Sequence, residues 1–461
     1  MSDADRVALR YAEESAFGVT PDGELLAKTT VSVSDVDDSY NDAVEDLSVF
    51  KAGQLIVVSG FTEAANNGVK TVVSATEGKM IVEESLTTEA LGDTVSIKTV
   101  LQELRFTGES LRQESSFVES KEIRDDRQVA DVVRAAIRAA GGINFEFSYG
   151  AYDDLLRALL MSSSWSTEVE DTQITFSMDD GDNSINDSGS GFVTAGFAAN
   201  QWVEIRGFTT AANNGYFKIV SVAAGKMVLS GGTVVTEAAG DSVTITMAPQ
   251  IVNGTTEVSF SMEREFEDLT DVFTLLIGLM PASMRLEVNA EQIITGSFDF
   301  MGKSEASATA STATGTPEAA PTNEVMSAVE DVLDILENMA SIDASAFTLE
   351  VTNNLREKKE IANLGPTGMG KGKIAVSGTL QMYFEAKTQM DKYRGGTETS
   401  LVFLFEDGDG NAYIVDLPRV KLTAGQQAAG GENTDVIADM SFAAYRDATE
   451  DVTIRIVKID A

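Results

Sequence analysis

Two stretches of the chain have the residue types and spacing of phosphate and cation chemistry. Gly365-Pro366-Thr367-Gly368-Met369-Gly370-Lys371 satisfies the G-x-x-x-x-G-K spacing in which backbone N–H groups and a lysine cradle phosphates. The next residue is Gly372, not the Ser or Thr that reaches magnesium. Ile374 and Val376 then open a strand, not a helix whose N-terminus would face an anion. A loop leading into a strand is expected instead. Asp407-Gly408-Asp409-Gly410-Asn411 sets oxygen ligands at alternate positions, as a calcium loop begins, but position twelve is Pro418 where a bidentate Glu belongs. Its flanks, Leu401–Phe405 and Tyr413–Leu417, read as strands, so a hairpin turn is expected. Asp35–Asp38 and Asp179–Asn183 read as solvated acidic loops.

Lys358, Lys359, Lys371 and Lys373 form the densest basic cluster, and no aromatic residue between 356 and 373 could stack a base. Contact with acidic surfaces of neighbouring subunits, or simple solvation, accounts for them. The chain has no histidine and no cysteine, which removes Ser-His-Asp and Cys-His triads, the usual zinc ligand sets and any disulfide framework. No carboxylate pair has an evident catalytic context, so no catalytic residue, metal or cofactor is expected. A formal charge of −39 disfavours association with nucleic acid or anionic lipid. The N-terminus, Met1-Ser2-Asp3-Ala4-Asp5, lacks the basic and apolar regions of a secretory signal, and no apolar run suits a membrane span.

The elements that would position these residues are organised by duplication. Gly60-Phe61-Thr62-Glu63-Ala64-Ala65-Asn66-Asn67-Gly68 returns 147 positions on as Gly207-Phe208-Thr209-Thr210-Ala211-Ala212-Asn213-Asn214-Gly215. The match continues through Gly78-Lys79-Met80 and Gly225-Lys226-Met227. Two small all-β repeat domains follow, at 28–100 and 172–249.

Elsewhere, period-two patterning dominates. Ile143–Tyr149, Val258–Met262, Met284–Val288, Ile294–Phe300, Phe347–Val351, Leu380–Phe384 and Val452–Ile456 alternate apolar with polar residues, as half-buried strands do. Tyr152, Leu155, Leu156 and Leu159 have the spacing of a short amphipathic helix. Val325, Val329, Val332, Leu333 and Leu336 have helical spacing too, with Asn323 as its cap. Residues 303–322, built from small residues and Pro317 and Pro321, read as a linker.

A fainter duplication underlies the first. A strand, a charged stretch, a second strand and a helix-like segment occur in that order over 104–160 and again over 347–394. The expected division is an N-terminal arm (1–27), repeat one (28–100), a first module in two parts (101–171 and 250–302) around repeat two (172–249), the linker, and a second module (323–461). The repeats are then peripheral insertions whose removal should leave assembly intact.

Several stretches resemble the major tail tube proteins of long-tailed bacteriophages: Arg10–Pro21, Leu104–Leu111, Phe145–Gly150 with Tyr152–Leu156, and Gly296–Lys303. Leu417–Lys421 and Ala443–Asp447 are similar to that family's ends. The resemblance spans the chain outside the repeats. It implies a mainly β fold of two tandem tail-tube-like β-sandwich modules carrying two small inserted repeat domains. It also implies a virion protein whose rings stack into a tube that conducts DNA without binding it, with other tail proteins at the tube ends. The loops 112–134 and 355–373 would join neighbouring subunits or rings through Arg112, Glu119, Lys121, Arg124, Arg127, Lys358, Lys359, Lys371 and Lys373. Two modules per chain imply a trimeric ring that imitates a hexamer, with a true hexamer as the alternative. A tandem Ig-like surface adhesin and a carboxylate-based hydrolase are the competing classes.

Overall fold

The computed structural model describes residues 6–21, 23–312, 316–384, 387–429 and 435–461. The chain is mainly β, and the longer strands outside the repeats fall into two sets. The first set is β1 (Val7–Glu13), β2 (Arg112–Glu119), β3 (Val132–Glu146), helix α1 (Asp153–Leu159), β4 (Phe260–Phe266), β5 (Phe273–Asn289), β6 (Thr295–Gly302) and β7 (Ser304–Ala308). The second is β8 (Val332–Glu337), β9 (Ala344–Thr352), β10 (Ala375–Tyr383), helix α2 (Thr388–Gly395), β11 (Glu398–Glu406), β12 (Ala412–Ala429), β13 (Val436–Ala444) and β14 (Arg455–Ile459).

The two sets have the same connectivity, antiparallel throughout. In the first, β1 pairs with β4, β4 and β7 with β5, β5 with β6, β6 with β3, and β3 with β2. In the second, β8 pairs with β11, β11 and β14 with β12, β12 with β13, β13 with β10, and β10 with β9. In each set one long strand serves two sheets. β5 leaves β4 and β7 for β6 at an irregularity between Pro281 and Ser283, and β12 shifts register between Leu422 and Ala424. Such irregularities bend a strand and strengthen its twist.

The sets are joined by a strand pair. The second part of β5 pairs with β9, Ser283 opposite Thr352 through Asn289 opposite Ala346. One antiparallel sheet therefore runs β12, β13, β10, β9, β5, β6, β3, β2 across both halves. One of its faces holds the core, where Phe145 stacks on Phe298 at 5.1 Å and Phe347 on Phe403 at 4.2 Å. Against it α1 buries Leu155, Leu156 and Leu159. Asp153 and Asp154 in the first turn of α1 and Arg157 in its last suit the helix dipole.

Each repeat is a seven-stranded sheet, Glu24–Thr99 and Val169–Met247, with equivalent strand order. The residues that recur most faithfully hold one turn. Asn66 donates to Glu89 at 2.7 Å and Asn213 to Glu237 at 2.6 Å. Thr62 donates to Asp93 at 2.8 Å and Thr209 to Asp241 at 2.9 Å. The duplicated motif is thus a folding device.

Several expectations change. The helix expected over Val325–Leu336 is absent: Val332–Glu337 is β8. Ile335 faces the sandwich core and Leu336 faces the second repeat, so the end of this strand is apolar and buried on both sides. Two buried faces erase the period of two and leave a spacing that imitates a helix. In the stretch expected as a linker, Ser304–Ala308 is β7, and Ser311 and Thr312 donate to the buried carboxylate of Glu263. Residues 313–315 lie outside the described residues. Val7–Glu13, expected in an arm, is β1 in the sandwich, and Met1–Asp5 lie outside the described residues. The strand expected over Val452–Ile456 begins at Arg455.

Candidate assembly interface

The stretch expected as a loop at 112–134 is a β-hairpin. Arg112 stands opposite Ala140, and the pairing continues to Glu119 opposite Val132, with an irregularity at Ser116/Phe117. Arg112 pairs with Glu114 at 3.0 Å, and Arg138 pairs with Glu114 at 2.6 Å and with Glu357 at 3.2 Å. Hydrogen bonding from Arg138 holds the Glu114 carboxyl below its ordinary value. Arg124 pairs with Asp126 at 2.6 Å, and Lys121 and Arg127 are exposed at the tip. Sequence reasoning missed the exposed apolar residues of this hairpin. Phe117, Val118, Val132 and Val133 are more than half exposed and Ile123 is fully so. Phe117-Val118 and Val132-Val133 on either side of a charged tip were the available signal.

The other expected loop, 355–373, contains a short hairpin of Arg356–Lys358 with Gly368–Gly370. It lies on the first half of the chain. Ile137 N–H donates to the Leu364 carbonyl at 3.0 Å, and Met369 is buried with Met161 and Met280. Lys371 donates to the Thr255 carbonyl at 2.6 Å and pairs with Glu257 at 3.3 Å, while Lys359 pairs with Glu357 at 2.8 Å. Lys358 and Lys373 are exposed. The phosphate-loop spacing is therefore spent on a strand pair. In the turn at 407–411, Asp407 accepts from the backbone N–H of Asp409 at 3.0 Å and of Asn411 at 2.9 Å.

The face of the joined sheet turned away from the core is polar in successive rows. One row runs Ala424, Ser441, Thr379, Thr348, Glu287, Thr295, Glu146. The adjacent row runs Lys421, Ala443, Ser377, Glu350, Arg285, Ser297, Asn144. Its two cations are compensated: Arg285 pairs with Glu287 at 2.5 Å and Lys421 with Glu398 at 3.6 Å.

The second repeat is sealed to the second half of the chain. Trp202 shares a buried cluster with Val402, Leu404, Ile414 and Val457. The first repeat meets α1 across a cleft that holds several charges. There Glu13 accepts from Arg157, Asp154 from the Tyr11 hydroxyl at 3.1 Å, and Asp153 pairs with Lys458 at 3.0 Å. Burial pushes the Glu13 and Asp154 carboxyls above their ordinary values. Each of these three acids has a partner within the chain, so these pairs fasten elements together.

Among the described residues no helix is long and apolar enough to cross a membrane. No curated protein matches the chain. The phage tail tube protein family matches residues 4–444, so the chain belongs to that family and is a structural component of the virion tail.

Proposed function

We propose that the chain polymerises as stacked rings into a hollow tube through which DNA passes, and that three chains close each ring. The joined sheet carries this reading. Two sets of strands with one connectivity lie side by side in a single sheet, so each chain supplies two wedges and three supply six. The sets are then tandem modules, with the repeats inserted into the first. Closed cyclic symmetry is the usual solution for homo-oligomers.

The polar face lines the bore. Hydroxyl and amide side chains dominate it, carboxylates are interspersed, and the cations are paired. A duplex carries about one negative charge per 1.7 Å of axis, so a bore of unpaired Lys and Arg would hold it by counterion release. Arg112, Glu119, Lys121, Arg124 and Arg127 on one hairpin, and Lys358, Lys359 and Lys373 on the other, meet neighbouring chains. Lys371 is held within its own chain. The role is structural and not catalytic, with other tail proteins at the tube ends.

Electron microscopy of the purified chain with symmetry analysis tests this. Hollow tubes with three chains per ring are expected. Six chains per ring would show that the two sets do not act as two wedges, and a bore lined mainly by Lys and Arg would overturn the electrostatic argument.

A further inference from the structure

The two halves of the chain keep one short sequence at matching hairpin tips. Glu119-Ser120-Lys121-Glu122-Ile123 and Glu357-Lys358-Lys359-Glu360-Ile361 agree at every position but the second. The register of the joined sheet puts them in corresponding places. The irregularity Pro281/Ser283 of β5 lies opposite Phe300 and Asp299, and Leu422/Ala424 of β12 lies opposite Phe442 and Ser441. On the next strand Phe300 opposes Gly141 of β3, and Phe442 opposes Gly378 of β10. Both positions need glycine for one reason. A Cβ would stand 2.4 Å from the Ser110 carbonyl oxygen at Gly141, and 2.0 Å from the Thr348 carbonyl oxygen at Gly378. Ile123 lies 18 residues before the first glycine and Ile361 lies 17 before the second.

Neither isoleucine is covered by its own chain: Ile123 is 100 % exposed and Ile361 is 99 % exposed. The 356–370 hairpin is held down through the Leu364 carbonyl and Met369, and that seating still leaves Ile361 bare. One exposed aliphatic residue is ordinary and needs no explanation. Two, at corresponding tips and in one setting of Lys and Glu, call for a common cause. The hairpin fold does not supply it. The first hairpin pairs over the whole of Arg112–Glu119 and the second over Arg356–Lys358 only, so the same residues sit on different supports. The chemistry is that of an interface centre, an apolar side chain to be desolvated within a rim of charges that stay wet. Two equivalent tips on one chain require a receiver that repeats in the same way. A second copy of this chain, itself double, is such a receiver, and contacts between unlike surfaces of identical chains extend into open assemblies.

We propose that Ile123 and Ile361 are equivalent apolar anchors, each buried by a second copy of this chain in the adjacent ring. On the tube reading, on which this rests, the two residues carry the stacking of rings, one in each half of the chain.

The chain has no native cysteine, so engineered ones report cleanly. Full-length Ile123→Cys and Ile361→Cys chains are treated with a polyethylene glycol maleimide before and after assembly, and labelling is read as a shifted band on a denaturing gel. Both should label fully as free chains and lose most of that labelling in tubes. Val36→Cys, 90 % exposed on the first repeat, should label alike in both states. Labelling at either isoleucine position that persists in tubes, or equal protection of Val36→Cys, would overturn this inference alone. An Ile123→Asp/Ile361→Asp chain should keep its circular dichroism spectrum and form no tubes, and normal tubes would also count against the anchors. Absence of tubes from the unmodified chain would overturn the tube reading beneath it.

Discussion

Trp202 of the second repeat donates its indole N–H to Asp416 of β12 at 3.1 Å, and both residues are buried. Lys218 and Arg455 each reach the same carboxylate at 2.8 Å, and each also pairs with Glu450 at 2.8 Å. Two cations and two carboxylates thus neutralise one another, with Lys218, Arg455 and Asp416 buried and Glu450 at the edge. Asp416→Ala would leave two buried cations on Glu450 alone, a loss of about 3–5 kcal/mol for a broken buried pair. Trp202→Phe leaves a buried acceptor with one donor fewer and should cost about 1–3 kcal/mol. Urea unfolding of both variants checks the order. Equal stability of Asp416→Ala and the parent would contradict it.

The second repeat is more than an ornament. Its removal would bare Val402, Leu404, Ile414 and Val457, which it now covers. Contiguous apolar surface of that kind promotes association. A chain lacking 172–249, closed with a Gly-Ser bridge, should therefore lose soluble expression, against the expectation from sequence that such a deletion is silent. The first repeat has Leu55 and Thr71 where the second has Trp202 and Lys218, and its deletion should be milder. Soluble yield and size-exclusion profiles of the two deletions decide between these outcomes.

Glu398 gives the clearest pH signature. Hydrogen bonds from Arg419, and then from Tyr445, hold its carboxyl down at about 2 against an ordinary 4.5. The folded value is the lower, so the native state holds fewer protons than the unfolded chain between those limits. The stabilisation is present above about 4.5 and is lost as pH falls towards 2. Glu398→Gln should lower the thermal midpoint at neutral pH and converge with the parent in acid. Because the pair is exposed, added salt should shrink the difference. A gap that persisted at the acid end would exclude this source.

The sequence made the half-buried strands visible and hid the rest for identifiable reasons. Ile143 and Phe145, with Phe147 just beyond, show their period because one face of β3 meets the core and the other is polar. In β8 the adjacent Ile335 and Leu336 are buried on opposite faces, so the period vanished. β7 is built from Ser, Glu and Ala, and its pairing with β5 rests on backbone groups that small residues do not advertise. The 112–134 hairpin escaped notice because its apolar residues face outwards in the single chain. Residues that await a partner have no core to betray them.

Reversal of the basic cluster separates fold from assembly. Lys358 and Lys373 are exposed, and Lys359 pairs only with Glu357 of its own hairpin. Lys371 alone reaches back to Thr255 and Glu257. Replacing Lys358, Lys359, Lys371 and Lys373 with Glu should leave the sandwich folded and block stacking, giving single rings in place of tubes. Restoring Lys371 should tighten the hairpin without restoring tube length. Tubes of normal length from the fourfold variant would remove these lysines from the interface.

The polar rows of the joined sheet predict how the tube treats DNA. Arg285 lies between Glu350 and Ser297 across the strands and is paired with Glu287 along its own strand. Changing Glu287 and Glu350 to Lys would leave Arg285 without its carboxylate and add two cations beside it where the two sets join in every chain. Such a face should bind duplex DNA, and the parent tube is expected not to bind it. The binding should weaken linearly in a plot of log affinity against log salt, with a slope of about −0.9 per phosphate neutralised. Mobility-shift titration of short duplexes against purified tubes measures both. If the parent tube binds DNA as tightly as the Glu287→Lys/Glu350→Lys tube, this face does not meet DNA, and the bore must be formed by another surface.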